Sequence, residues 1–170
     1  FEHLMAQPFE DHTKVQLMTQ LCDASGPQGM MGGQQLDMMQ GSLVPLDEIT
    51  RMQSLKTGCL LEFSCVAPAL VAHANGQQLQ TLKAFAHKLG LAYQITDDLL
   101  DLYGEHFFFF FFLRVDGDNS KATFVSVLGE TAARQKARDL IDEAISILQS
   151  TFKDTSHLGE LAAYVLGRKY

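Results

Sequence analysis

The segment Tyr93-Gln94-Ile95-Thr96-Asp97-Asp98-Leu99-Leu100-Asp101 sets three carboxylates and an amide along one side of an apolar helix. On a 3.6-residue period, Gln94, Asp97, Asp98 and Asp101 occupy positions i, i+3, i+4 and i+7, a single face. Leu79, Leu82, Phe85, Leu89, Ala92, Leu99 and Leu102 lie on the other side, which is predicted to be buried. Hard divalent cations take several oxygen ligands, and Mg²⁺ in particular is held by a few carboxylates together with substrate phosphates. The first reading of the pattern is therefore a diphosphate bridged by Mg²⁺. The competing reading is a solvated acidic helix face, which a short carboxylate pattern also fits.

A chain of 170 residues is long enough for one domain, or a large part of one, with a real core. Apolar residues make up 46% and charged residues 19%, the range of ordinary folded proteins. The net charge of −7 argues against a nucleic-acid partner, which needs a basic face, and suits a protein that recruits cations. Cys22, Cys59 and Cys65 fall in apolar-periodic segments without metal-ligand spacing, so buried, reduced thiols in a cytoplasmic protein are expected. No run of about 18 apolar residues occurs, so no membrane insertion is expected. The chain begins with Phe1 rather than Met, so its true N-terminus is expected to lie upstream.

Helical periodicity runs through most of the chain. Residues 11–24 form a short amphipathic helix through Val15, Leu17, Met18, Leu21 and Cys22, stopped by Ser25-Gly26-Pro27. A second helix covers Met30 to Met39. Pro45-Leu46-Asp47 opens a longer one with Leu46, Ile49, Met52, Cys59, Leu60 and Phe63 inward, kinked or divided at Pro68. The aspartate helix covers about Gln77 to Tyr103 and stops at Gly104. Another helix begins near Ala122. Glu130 to Phe152 carries Ala133, Ala137, Leu140, Ile141, Ala144 and Leu148, and Thr155 or Ser156 caps a last helix through Tyr164. No useful alternating strand pattern is present, so the fold class is all-α, a bundle of long helices. Residues 105–120 read as a loop that contains six consecutive phenylalanines, Phe107 to Phe112. Such a run promotes aggregation. It reads more readily as a stand-in for unidentified residues than as native sequence, and if native it is a hydrophobic contact surface.

Three smaller clusters are ambiguous on their own. Gly32-Gly33-Gln34-Gln35-Leu36-Asp37 puts two glycines and a polar pair, Gln34 and Asp37, in an apolar helix. Each helical glycine costs roughly 1 kcal/mol against alanine, so it serves close packing or close ligand approach. Packing plus two solvated side chains is the simpler reading. Lys56-Thr57 precedes Gly58, and Lys121 follows the loop; an ammonium partners phosphate well, but most lysines are surface residues. The six histidines show no zinc spacing, and neither a phosphate-loop nor a nucleophile-turn motif is present.

Taken in order, Gly-Gly-Gln-x-x-Asp, Lys-Thr-Gly, Tyr-Gln-x-x-Asp-Asp-x-x-Asp, a loop Asp and a Lys resemble the C-terminal part of the trans-prenyltransferases. The similarity is greatest to the bacterial farnesyl (geranyl) diphosphate synthase branch. It spans essentially all 170 residues, through Ala133-Arg134-Gln135-Lys136-Ala137-Arg138-Asp139-Leu140-Ile141-Asp142. The resemblance implies an isoprenoid-synthase-type helical bundle lacking its N-terminal helices. It implies that Asp97, Asp98 and Asp101, with the loop residue Asp116, hold Mg²⁺ on an allylic diphosphate. Lys56 and Lys121 would bind that diphosphate, and Thr57 and Gln94 would aim oxygen dipoles at the allylic cation. Gln34 and Asp37 join the substrate-binding set on the same ground. The implied reaction is ionisation, condensation with isopentenyl diphosphate and elimination, in a cytoplasmic homodimer.

Two departures from the family pattern stand out. The first aspartate-rich motif, with its arginines, lies upstream of anything in this chain, so the 170 residues alone are expected to be inactive. The family's loop lysine falls at Phe111, and Arg114 is offset from it. Two alternatives remain open at this stage: a non-catalytic binding or regulatory subunit with the same fold, and a class I terpene cyclase. Lys56-Thr57 and the Asp-Asp-x-x-Asp pattern weigh against the cyclase.

Overall fold

The computed structural model describes residues 1–39, 41, 44–102 and 121–168, and among them every regular element is helical. In chain order these are α1 (Glu2–Met5), α2 (Asp11–Ser25), α3 (Met30–Met39), α4 (Leu46–Gln53), a π-helical turn (Ser54–Gly58), α5 (Cys59–Val71), α6 (Gly76–Asp101), α7 (Phe124–Leu128), α8 (Glu130–Gln149) and α9 (Ser156–Gly167). The Phe107–Phe112 run, Asp116, Arg114 and the expected stop at Gly104 lie outside the described residues.

Helix α6 is the central element. An Asn75–Gln78 capping box starts it, each side chain accepting the other residue's backbone N–H. Phe85, Ala86, Ala92 and Ile95 are fully buried, and Leu82, Leu89 and Leu99 nearly so. Leu79 and Leu102 are partly buried against the same core. Its main partner is α8, whose six predicted apolar positions, from Ala133 to Leu148, are all buried. Small residues on both helices, Ala92 on one and Ala133, Ala137 and Ala144 on the other, let the axes approach closely. Thr81 Oγ1 lies 2.8 Å from Thr151 Oγ1, which sets the start of α6 beside the end of α8, so the pair runs antiparallel.

The long helix Leu46–Val71 departs from α geometry at Ser54–Gly58, not at Pro68, which α5 accommodates in its last turn. Two back-bonding hydroxyls lie just before that departure and at its first residue. Thr50 donates to Leu46 O at 2.7 Å and Ser54 to Thr50 O at 2.7 Å, and such back-bonding loosens a helix locally. Isolated π turns inside α-helices occur frequently at functional sites. This one carries Lys56 and Thr57. Its contact with α3 requires glycine, because a Cβ on Gly33 would stand 2.2 Å from Lys56 N and 2.6 Å from Lys56 Cα.

Several expectations are corrected. Val15 and Cys22 of α2 are exposed, and Cys59 and Cys65 are only half-buried; all three thiols are free. The apolar face of α2 therefore reduces to Leu17, Ala24 and partly buried neighbours. Helix α8 ends at Gln149, and Phe152 packs on the core beyond it. Neither Thr155 nor Ser156 caps α9 by its own side chain. Asp154 does so instead, accepting from Ser156 N at 3.0 Å and Ser156 Oγ at 2.8 Å. Leu46–Val71 is long and apolar enough, by length and composition alone, to cross a membrane, and only 11% of its most apolar window is buried. In this fold it packs on α2, α3 and α6. Met31, Met38 and Met39 of α3 are likewise exposed.

Gly33→Ala is expected to destabilise the protein by about 2 kcal/mol or more in urea unfolding, since backbone must move to admit the methyl group. Gly159→Ala, in a helix with nothing within 4 Å of the new Cβ, should stabilise it by roughly 0.5–1 kcal/mol. Equal effects at the two positions would show that α3 does not need its close approach.

Candidate diphosphate and metal site

One carboxylate gathers the first cluster. Asp37, near the end of α3, is buried, and its Oδ2 accepts from Lys56 Nζ and from Lys121 Nζ, each at 2.9 Å. The three residues come from α3, the π turn and the segment that leads into α7. Burial opposes charge on Asp37, and the hydrogen bonds from Lys121 and Lys56 outweigh it, so the carboxyl titrates below its ordinary value. The reading of Asp37 as a solvated side chain is thus corrected. Gln34, one turn earlier, is exposed as that reading required.

The second cluster sits on the aspartate face of α6. Asp98 accepts from Phe124 N at 2.8 Å, capping the first turn of α7, while Thr123 and Ser126 form a capping box there. This bond joins the clusters. Lys121 is only three residues before Phe124, a backbone span of at most about 11 Å. Asp97 Oδ1 pairs with Arg168 Nη2 at 2.7 Å, and Asp97 Oδ2 accepts from Gln94 Nε2 at 3.1 Å. Arg168 also stacks on the Tyr93 ring at 3.9 Å and donates to Tyr93 O at 3.2 Å. A cleft of about 110 Å³ between α6, α8 and α9 is lined by Arg168 and Arg138 with Leu99 and Leu166.

Arg168 was not legible as a site residue, because a basic residue after a terminal helix carries no motif. Its only signal is position, one residue beyond α9. Asp101 is exposed at the end of α6, and Thr57 is half-buried beside Lys56. Asp116 lies outside the described residues.

The carboxylates carry mutual strain. Burial pushes Asp98 up to about 6, opposed by the Phe124 N–H bond and reinforced by the charges of Asp101 and Asp97. Burial also raises Asp97, partly offset by Arg168. Among the described residues, no three His, Cys, Asp or Glu side chains are grouped closely enough to hold a metal ion by themselves. That donor set does not suit an all-protein cage. It does fit a divalent ion that takes one or two carboxylates and completes its shell with water and phosphate oxygens, the usual habit of Mg²⁺.

A family model, "Polyprenyl synthetase", matches residues 2–164. The farnesyl diphosphate synthase of Escherichia coli K12 is 38% identical over 163 residues, which cover 93% of this chain and 54% of that one. An FPP/GFPP synthase from Zymomonas mobilis, in an apo crystal structure, superposes with a TM-score of 0.78 at 40% identity, covering 92% of this chain and 52% of its own. A geranyltransferase from Helicobacter pylori, solved with magnesium and isoprenyl diphosphate, superposes with a TM-score of 0.78 at 25% identity, over 98% of this chain and 55% of that one. The chain spans about half the length of the relatives it matches.

The raised Asp98 carboxyl fixes a pH dependence. Its charged form is disfavoured in the fold, so Asp98 lowers stability progressively as pH rises from its unfolded value of 3.8 through about 6. At neutral pH the cost is about 3 kcal/mol at most. Asp98→Asn keeps an oxygen for Phe124 N and should raise Tm near pH 7.5 but not near pH 4. A Tm difference that is the same at both pH values contradicts the assignment.

Proposed function

This chain belongs to the polyprenyl synthetase family, and from that premise we propose that residues 1–170 are the C-terminal part of a single-domain prenyl diphosphate synthase of the farnesyl diphosphate synthase type. The observation that carries the reading is the meeting of Lys56 and Lys121 on Asp37, with the Lys121 segment tied to the aspartate helix through Asp98. A pair of ammonium groups beside a row of carboxylates provides for both halves of a metal diphosphate.

The substrates are an allylic diphosphate and isopentenyl diphosphate, and the cofactor is Mg²⁺. Asp97, Asp98, Asp101 and Asp116 are the residues that would hold the metal, which when bound neutralises charge on the diphosphate as a Lewis acid. Lys56 and Lys121 hold phosphate oxygens where negative charge grows as the allylic C–O bond breaks, a contribution that is usually the largest in such catalysis. Gln94 gives its Nε2 to Asp97, which turns its Oε1 away from the carboxylate. That oxygen and the Thr57 hydroxyl are the dipoles directed at the allylic cation. Gln34 and Asp37 complete the substrate-binding set, Asp37 by acting through the lysines.

The isopentenyl double bond then attacks the cation, forming the new C–C bond. Loss of a proton to the released diphosphate restores the alkene, so no separate protein base is required. The relatives extend well beyond the matched region, so turnover is assigned to the protein carrying both halves, as a cytoplasmic homodimer.

In that complete protein, Asp97→Ala should lower kcat by about 10²–10³ or more, the scale of losing one transition-state contact. Chelation of Mg²⁺ should abolish turnover. Near-wild-type kcat in the variant would sink the assignment of Asp97.

A further inference from the structure

The lysine pair holds one more feature: a fixed negative charge at its centre. Asp37 Oδ2 receives both ammonium groups at 2.9 Å, and its side chain is only 9% exposed, whereas those of Lys56 and Lys121 are 33% and 55% exposed. The carboxylate is one turn past Gly33, whose backbone is seated on the π turn, so Asp37 faces Lys56 across that close contact. Each ammonium has three donors and spends one on Asp37. The others can reach a ligand that arrives from the exposed side.

Building on the assignment of Lys56 and Lys121 to a diphosphate, we infer that Asp37 is a counter-charge that limits how tightly the site retains free diphosphate. It clamps two repelling cations together and cancels one of their two charges. The bound anion then faces a net charge of one rather than two. A site that binds ground state and transition state equally tightly gains nothing in turnover. In a reaction that liberates diphosphate, a fixed carboxylate behind the lysines shortens the product's residence. Asp37 is on this view a positioning residue that acts through Lys56 and Lys121.

The test is calorimetric titration of inorganic diphosphate, without divalent metal, into the whole chain and its variants. Asp37→Asn keeps an oxygen for both ammonium groups and removes only the charge. Its affinity for diphosphate should rise at least about tenfold, and its affinity should fall more steeply with added NaCl. Lys121→Gln should weaken binding, and adding Asp37→Asn to it should restore part of the loss. A purely structural role for Asp37 predicts weaker binding in Asp37→Asn and no rescue, and either result overturns the inference. A tighter complex that is insensitive to Lys56→Gln overturns it as well, because the anion would then sit elsewhere. If Asp37→Asn does not fold by circular dichroism, Asp37→Ser, which also offers an oxygen, is measured against the same outcomes. Failure of the functional reading is seen separately, as unchanged diphosphate binding in Lys56→Gln and Lys121→Gln in the wild-type background.

Discussion

Lys56 and Lys121 both donate to a single buried oxygen, Asp37 Oδ2, across 19 and 84 residues of chain. Two ammonium groups at that separation repel each other, and only the shared carboxylate makes their proximity favourable. Much of the local architecture serves that meeting. Gly33 lets α3 touch the π turn, and the π turn carries Lys56. Asp98 anchors the first turn of α7, three residues past Lys121. Losing any one of these would pull a cation away from Asp37 and leave a buried charge poorly paired, which is among the costlier defects a fold can carry.

The aspartate helix has a parallel arrangement with the opposite sign. Asp97 and Asp98 are partly buried and raised above their ordinary values, and Arg168 and the Phe124 N–H offset only part of that. Cations are therefore held together by an anion at one end of the site, and anions are left short of a cation at the other. A Mg²⁺-bound diphosphate answers both conditions at once, presenting metal to the carboxylates and phosphate oxygens to the lysines.

Helical periodicity was enough to read the buried faces of α6 and α8, whose apolar positions recur at 3.6-residue spacing over long stretches, whereas in α2 and α3 it gave the helix but not its buried face. In α8 all six expected apolar positions are buried. Pro68 misled, since a proline in the last turn of a helix interrupts little, while the real departure from α geometry is the π turn at Ser54–Gly58, which no residue pattern announced. Asp37 looked solvated because its partners are remote in sequence; spacing reports one face of one helix, not what a distant lysine does. Gly33 did signal close approach, as a glycine inside a helix should. Arg168 left no periodic or motif signature, so only the packing of α9 beside α6 reveals it. The motifs were individually ambiguous and became specific through their order along the chain.

About half of each relative's length has no counterpart in this chain, while the long helix Leu46–Val71 is largely uncovered and Met31, Met38 and Met39 of α3 are exposed. The central claim is nonetheless testable on these residues alone: that they hold the allylic diphosphate through lysines and a carboxylate-bound metal. The decisive measurement is calorimetric titration of geranyl diphosphate into the 170-residue chain, first shown to be helical by circular dichroism, with and without Mg²⁺. Saturable binding that tightens at least about tenfold when Mg²⁺ is present is the predicted result. Binding indifferent to Mg²⁺, or none at millimolar ligand, would contradict the claim.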